Sequence, residues 1–157
     1  MQTDKCCGDS HRRSFLRGSV VAGLSAVSYA ALLPEASAAS LGKAQRDALT
    51  PDAVIKAMLD GNARFLAGAP LARDSLAEMR SSSAGQYPAA VVLSCVDSRA
   101  PVEVICDLGL GDTFNARVAG NAVNDDILGS MEFACAAAGA KLVVVMGHTA
   151  CGAIKGA

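Results

Sequence analysis

The chain has 157 residues, a formal charge of −1, and 52% apolar against 18% charged residues. That length holds one domain with its own core and excludes two full-sized ones, while the apolar share excludes a disordered chain. With so little net charge and no basic run in its body, the sequence carries no electrostatic footprint for nucleic acid.

The first segment reads as a targeting signal. Paired arginines in His11-Arg12-Arg13-Ser14-Phe15-Leu16-Arg17 precede a mildly apolar run from Gly18 to Leu33 that is too rich in Gly, Ala and Ser for a membrane span. Ala36-Ser37-Ala38 then offers the small residues that a signal peptidase accepts. The segment resembles a twin-arginine export signal, with His11 where Ser or Thr is usual. The expected division is a removed signal over 1–38 and a single folded domain over 39–157, delivered to the periplasm or otherwise exported. Of six cysteines, Cys6 and Cys7 fall in the signal, and no Cys-x-x-Cys pair exists, which argues against a thioredoxin-like redox centre.

The body opens with a helix. Thr50 can cap it, Pro51 suits the first helical position and Asp52 complements the dipole. Val54, Ala57, Met58, Gly61, Phe65 and Leu66 recur near helical spacing and are expected to face the core, with Gly68 and Pro70 ending the helix. A polar connection follows, with a short helical piece over 75–80 and a loop at Ser81-Ser82-Ser83.

From Pro88 the pattern changes to strands. Ala89 to Ser94 is continuous and β-branched, as a strand covered on both faces of a parallel sheet would be. It stops at Cys95-Val96-Asp97-Ser98-Arg99, which reads alone either as a buried thiol before a surface turn or as a site at the strand's carboxyl end. A helical turn or two over 102–108 is broken by Gly109 and Gly111. Residues 112–119 form a second strand with Phe114, Ala116 and Val118 on one face, closed by Gly120-Asn121. Asn124 caps an apolar helix carrying Ile127, Met131, Phe133, Ala134 and Ala138 and ending at Gly139. Lys141 to Met146 is a third strand, expected to be buried like the first, and it delivers Gly147-His148-Thr149-Ala150-Cys151. Strands alternating with helices predict an α/β fold with a parallel sheet flanked by helices. Cys106 and Cys135, with helical apolar neighbours, read as core thiols.

If the first and third strands are neighbours, Cys95, His148 and Cys151 converge at one edge of the sheet. Two thiolates and one imidazole suit a tetrahedral, borderline-soft zinc ion, and three protein ligands leave the open position of a catalytic site.

Cys95-x-Asp97-x-Arg99 followed by His148-x-x-Cys151-Gly152, with Gly111-Asp112, Arg117 and Ala119-Gly120-Asn121 between them, resembles the β-class carbonic anhydrase family from about Asn62 to Ala157. The resemblance implies one Zn2+ per chain on Cys95, His148 and Cys151, with Asp97 and Arg99 as the catalytic dyad. It implies Gln86 as the amide that binds substrate, carbon dioxide or bicarbonate as that substrate, and a homodimer or higher even oligomer. The expected reaction is reversible hydration of carbon dioxide through zinc-bound hydroxide, oriented by Asp97 while Arg99 holds that carboxylate off the metal. Two thiolates weaken the acidifying power of zinc, so the activity is expected to be alkaline. Val92 stands where a subgroup with a regulatory bicarbonate pocket has tryptophan, so that regulation is not expected, although Arg117 matches another pocket position. Hydrolysis of carbon disulfide or carbonyl sulfide on the same fold is the alternative activity, and a non-catalytic zinc-binding fragment the other alternative. Family members continue beyond Cys151 with further helices and usually another strand, so the sequence is expected to represent a C-terminally shortened form of the fold.

Overall fold

The computed structural model describes residues 39–157; the signal expected over 1–38, with its cleavage site and Cys6 and Cys7, lies outside them. After α1 (Lys43–Ala48), helix α2 (Pro51–Leu66) starts where Thr50 caps it, its Oγ1 accepting from the Ala53 N–H at 3.2 Å. Helix α3 (Ser75–Ser81) is capped by Asp74, whose carboxylate accepts from Leu76 and Ala77. Strand β1 (Ala90–Ser94) leads through the site loop to the short α4 (Val102–Ile105), and β2 (Thr113–Arg117) ends in a 3-10 turn over Ala119–Asn121. Helix α5 (Asp125–Glu132), capped by Asn124 on the Ile127 N–H, runs into one π-type turn over Phe133–Ala137. Strand β3 (Leu142–Met146) and α6 (Gly152–Gly156) follow.

The three strands form a parallel sheet in the order β2-β1-β3, so the expected α/β architecture is present with β1 at its centre. Every residue of β1 is buried. Ala90 and Val92 face a layer built by Val54 and Met58 of α2, Val102 of α4 and Cys106, while Val91 faces Ala134, Ala140 and Phe114. Alternation along the strand thus supplies both layers of the core.

Two sequence expectations fail here. Ala57, Phe65 and Leu66 of α2 lie outside the core: only Val54, Met58 and Gly61 of that helix are buried. A single stripe of α2 suffices because the sheet beneath it is narrow. Strand β3 is not covered on both faces either. Among the described residues it pairs only with β1, and α5 with its π turn packs over β2 and β1, leaving Val143 and Val145 45% and 66% exposed. Of the expected core thiols, Cys106 is buried, and burial pushes its pKa up, whereas Cys135 is half-buried at the edge of the second layer.

Gly61 sets how closely α2 approaches the segment that follows the site loop. A Cβ there would lie 1.9 Å from the Cys106 carbonyl oxygen, and the neighbouring Asn62 amide donates to the Ile105 carbonyl at 2.9 Å. Gly61→Ala is expected to cost about 2–3 kcal/mol, since a backbone carbonyl cannot swing aside, against ~1 kcal/mol of helix propensity gained. Chemical denaturation would detect it; an unchanged midpoint would mean that α2 slides freely over α4.

Asp107 is a second tie. Its buried carboxylate, on a residue with φ of 45°, pairs with Arg64 of α2 and accepts from the Leu71 N–H, while its carbonyl accepts from Arg73 at 2.6 Å. Burial pushes the Asp107 pKa up, but the Arg64 hydrogen bond, the Leu71 N–H and the charges of Arg64 and Arg73 outweigh it and hold it below the ordinary value. Asp107→Asn keeps the shape and the tolerance of positive φ, so the charge alone is tested; about 2 kcal/mol of stability is expected to be lost at neutral pH. Because the folded pKa is depressed, this contribution is complete above the unfolded value of about 3.9 and disappears as pH falls through the folded one. The stability gap between the two proteins, followed by circular dichroism, should therefore close only in strong acid.

Candidate metal centre

The parallel pairing of β1 with β3 places Ser94 opposite Met146, so the chain segments carrying Cys95 and His148 leave the sheet side by side at its carboxyl edge. Cys151, the residue before α6, closes the group. One ligand atom each from Cys95, His148 and Cys151 lies within 4.8 Å of the others, and the two Sγ atoms are 3.9 Å apart. The two cysteines are 4% and 9% exposed.

These residues fit a metal ion. His148 Nδ1 lies 3.0 Å from the Thr149 carbonyl, which can only accept, so in the neutral ring Nδ1 carries the proton and Nε2 keeps its lone pair. That Nε2 is buried and has no hydrogen-bond partner. A buried nitrogen without a partner is costly unless something electrophilic meets it, and two thiols beside it supply the rest of a soft donor set. The Cys95 thiol is lowered to about 7 by the adjacent His148 imidazole, then by the backbone N–H groups of Gly120 and Asp97, which outweigh its burial. A cysteine poised near neutrality is a ready thiolate ligand. His148 is raised in turn, chiefly by Cys95.

Asp97 stands beside this group with Oδ2 3.8 Å from His148 Nε2. Arg99 grips it in a fork: Nε donates to Oδ1 at 3.0 Å, Nη2 to Oδ2 at 2.8 Å, and the Arg99 backbone N–H to Oδ1 at 3.0 Å. The guanidinium holds the Asp97 carboxyl far below the usual carboxylate range. Arg99 itself is 78% exposed at the side chain while Asp97 is 16%, so the restraint sits at the rim and the carboxylate inside it.

Gln86 is not brought to this edge. It is exposed and precedes the amino end of β1, whereas Cys95, His148 and Cys151 lie beyond that strand's carboxyl end, and the strand between spans about 16 Å. The structure gives Arg117 a task that the sequence does not reveal. Its Nε donates to the Cys95 carbonyl at 2.9 Å and its Nη2 to the Asp97 carbonyl at 2.6 Å, so it braces the loop carrying a thiol and the carboxylate. Gly120 and Asn121, both at positive φ, are legible in the sequence only as the end of a strand and as part of the spaced motif; the Gly120 N–H points at Cys95 Sγ at 3.4 Å.

Residues 90–157 match the family model described as carbonic anhydrase. A carbonic anhydrase of Mycolicibacterium smegmatis is 47% identical over 106 residues, 67% of this chain and 52% of that one. A carbon disulfide hydrolase of Acidithiobacillus thiooxidans is 38% identical over 71 residues, covering 41% of this chain and 33% of that one. Among solved structures, a tetrameric β-carbonic anhydrase from Sordaria macrospora is similar, with 32% identity, a TM-score of 0.48, and coverage of 50% of this chain and 41% of that one. The chain belongs to the β-class carbonic anhydrase family. It spans about half the length of the Mycolicibacterium smegmatis relative.

Proposed function

We propose that this chain is a zinc lyase that hydrates carbon dioxide reversibly to bicarbonate and a proton, using one Zn2+ held by Cys95, His148 and Cys151. The observation that carries the reading is the unpartnered, buried Nε2 of His148 facing two thiols, with a restrained carboxylate 3.8 Å away. When bound, zinc supplies the Lewis acidity that makes water a nucleophile near neutral pH. Asp97 accepts a hydrogen bond from the attacking water and turns its lone pair toward the carbon, where the new C–O bond forms and a proton passes to solvent. Arg99 keeps both Asp97 oxygens engaged, so the carboxylate does not itself take the fourth ligand position. An open groove of about 550 Å3, lined by Ile55, Leu59, Val143, Val145 and Met146, reaches His148 and suits a small neutral substrate. Stopped-flow hydration on the purified chain, with zinc measured alongside, tests the reading: stoichiometric zinc without hydration at alkaline pH would leave a binding protein and no lyase.

The similarity to a carbon disulfide hydrolase, and the apolar lining of the same groove, favour one second reading, hydrolysis of carbon disulfide or carbonyl sulfide. Sulfide release from carbon disulfide at a rate above carbon dioxide hydration would establish it.

The proposal extends to assembly and location. Because Gln86 cannot serve the metal centre of its own chain, its substrate-binding role requires a homodimer in which it approaches a second copy. Sedimentation of the purified chain as a monomer with full activity would remove that role. Residues 1–38 support export by the twin-arginine route through Arg12-Arg13 and Ala36-Ser37-Ala38. No helix among the described residues is long and apolar enough to cross a membrane. Lysine at both Arg12 and Arg13 should retain the protein inside the cell; unaltered export would refute the route.

A further inference from the structure

In a parallel pair the ladder bonds end with the strands, and the last carbonyls must find other donors. Here one side chain serves both strands. Asn121 Nδ2 donates to the Leu93 carbonyl of β1 at 3.2 Å and to the Met146 carbonyl of β3 at 2.7 Å. Its amide carries two hydrogens, so both bonds form at once. The chain passes from Leu93 to Cys95 and from Met146 to His148 in two residues each, so the bridge lies immediately beneath the point where the two ligand-bearing segments part.

The turn that holds Asn121 is itself tied to β1. The Val118 N–H donates to the Ser94 carbonyl at 3.0 Å and the Asn121 N–H to the Val118 carbonyl at 3.1 Å. Gly120 and Asn121 take φ of 66° and 58°, a conformation in which glycine and asparagine are the residues of least strain. That pair of left-handed residues turns the Gly120 N–H to Cys95 Sγ and the Asn121 amide back under the sheet edge in one step.

We infer that Asn121 is a positioning residue for the metal centre: its side-chain amide sets the spacing of the strands that deliver Cys95 and His148, while the same turn donates to the Cys95 sulfur. This rests on the zinc reading of the site. Groups that orient metal ligands without touching the metal are worth about 10–100-fold in affinity. A two-strand bridge, acting on the separation of two ligands at once, belongs in that range.

Two substitutions separate the amide from the backbone. Asn121→Asp keeps size and tolerance of positive φ but replaces the two donors with a carboxylate facing two carbonyls. Asn121→Gly keeps the left-handed turn and the Gly120 N–H while removing the bridge alone. Zinc affinity, read by competition with a chromophoric chelator on the full chain, is expected to fall about 10–100-fold in the Asp variant and about 10-fold in the Gly variant. Cobalt(II) in place of zinc is expected to shift its visible bands in both, since ligand spacing sets the field at the ion. Wild-type affinity and an unshifted cobalt spectrum in Asn121→Gly would overturn the inference. So would a Gly variant that has lost its circular dichroism before metal is added, because the bridge would then serve the fold and not the ligands. An unsubstituted chain that gives no thiolate-to-cobalt charge transfer would instead overturn the zinc reading beneath it.

Discussion

Cys95→Ser should leave the chain folded but without stoichiometric zinc, and hydration should fall to background with it. The size of the effect follows from the geometry. Removing a residue that merely orients a ligand costs about 10–100-fold in metal affinity, so removing one of three ligands should exceed about 100-fold. Cys95 also sits on a loop that Arg117 and the Gly120 N–H already hold in place, so serine there enters a pre-formed position and the loss reports on the sulfur itself. Cys135→Ser is the matched control, because that thiol is half-buried against the second core layer and outside the group formed by Cys95, His148 and Cys151. Metal content by atomic emission and stopped-flow rates on the same samples would check both. A Cys95→Ser protein with full zinc and full hydration would end the metal mechanism.

The second large effect concerns the dyad. Asp97→Asn should retain zinc yet lower kcat/KM by about 10^2–10^3, within the range of about 10^2–10^4 that a positioned acid–base group contributes. Arg99→Ala should also be impaired, by a different route. Without its fork the Asp97 carboxylate is free to turn the short distance toward His148 and compete for the open ligand position, and its pKa should return toward about 3.9. The two changes then act on one arrangement and should not add: the double variant is expected to be no slower than Asp97→Asn. Additive losses would mean that Arg99 works on substrate directly and that the pair is not one device.

Much of this arrangement was readable from local pattern because it rests on local physics. Thr50 and Asn124 announced their helices by chemistry that operates within three residues. The continuous run of β1 announced a strand covered on both faces, and once parallel pairing with β3 was assumed, the positions of Cys95 and His148 followed from where strands end. Periodicity overreached where coverage depends on distant elements. Phe65 and Leu66 have the spacing of core residues but lie beyond the narrow sheet, and Val143 and Val145 have the composition of β1 without a helix over them. The bracing of the site was invisible for a further reason. Arg117, Gly120 and Asn121 act through bonds to Cys95, Asp97, Leu93 and Met146, and the pattern of residue types carries no trace of those pairings. Gln86 was matched by position along the chain, which says nothing of the end of the strand on which it falls.

The sheet is asymmetric in a way that bears on how metal would come and go. Cys95 hangs from β1, flanked on both sides and buried throughout, so its amides should exchange hydrogen only on global unfolding. His148 and Cys151 hang from β3, which among the described residues has one neighbour and one bare face. Brief fraying of that edge would lift two ligands at once while the third stays fixed. If zinc binds as proposed, its exchange should therefore follow the opening of β3 and run faster than the protein unfolds.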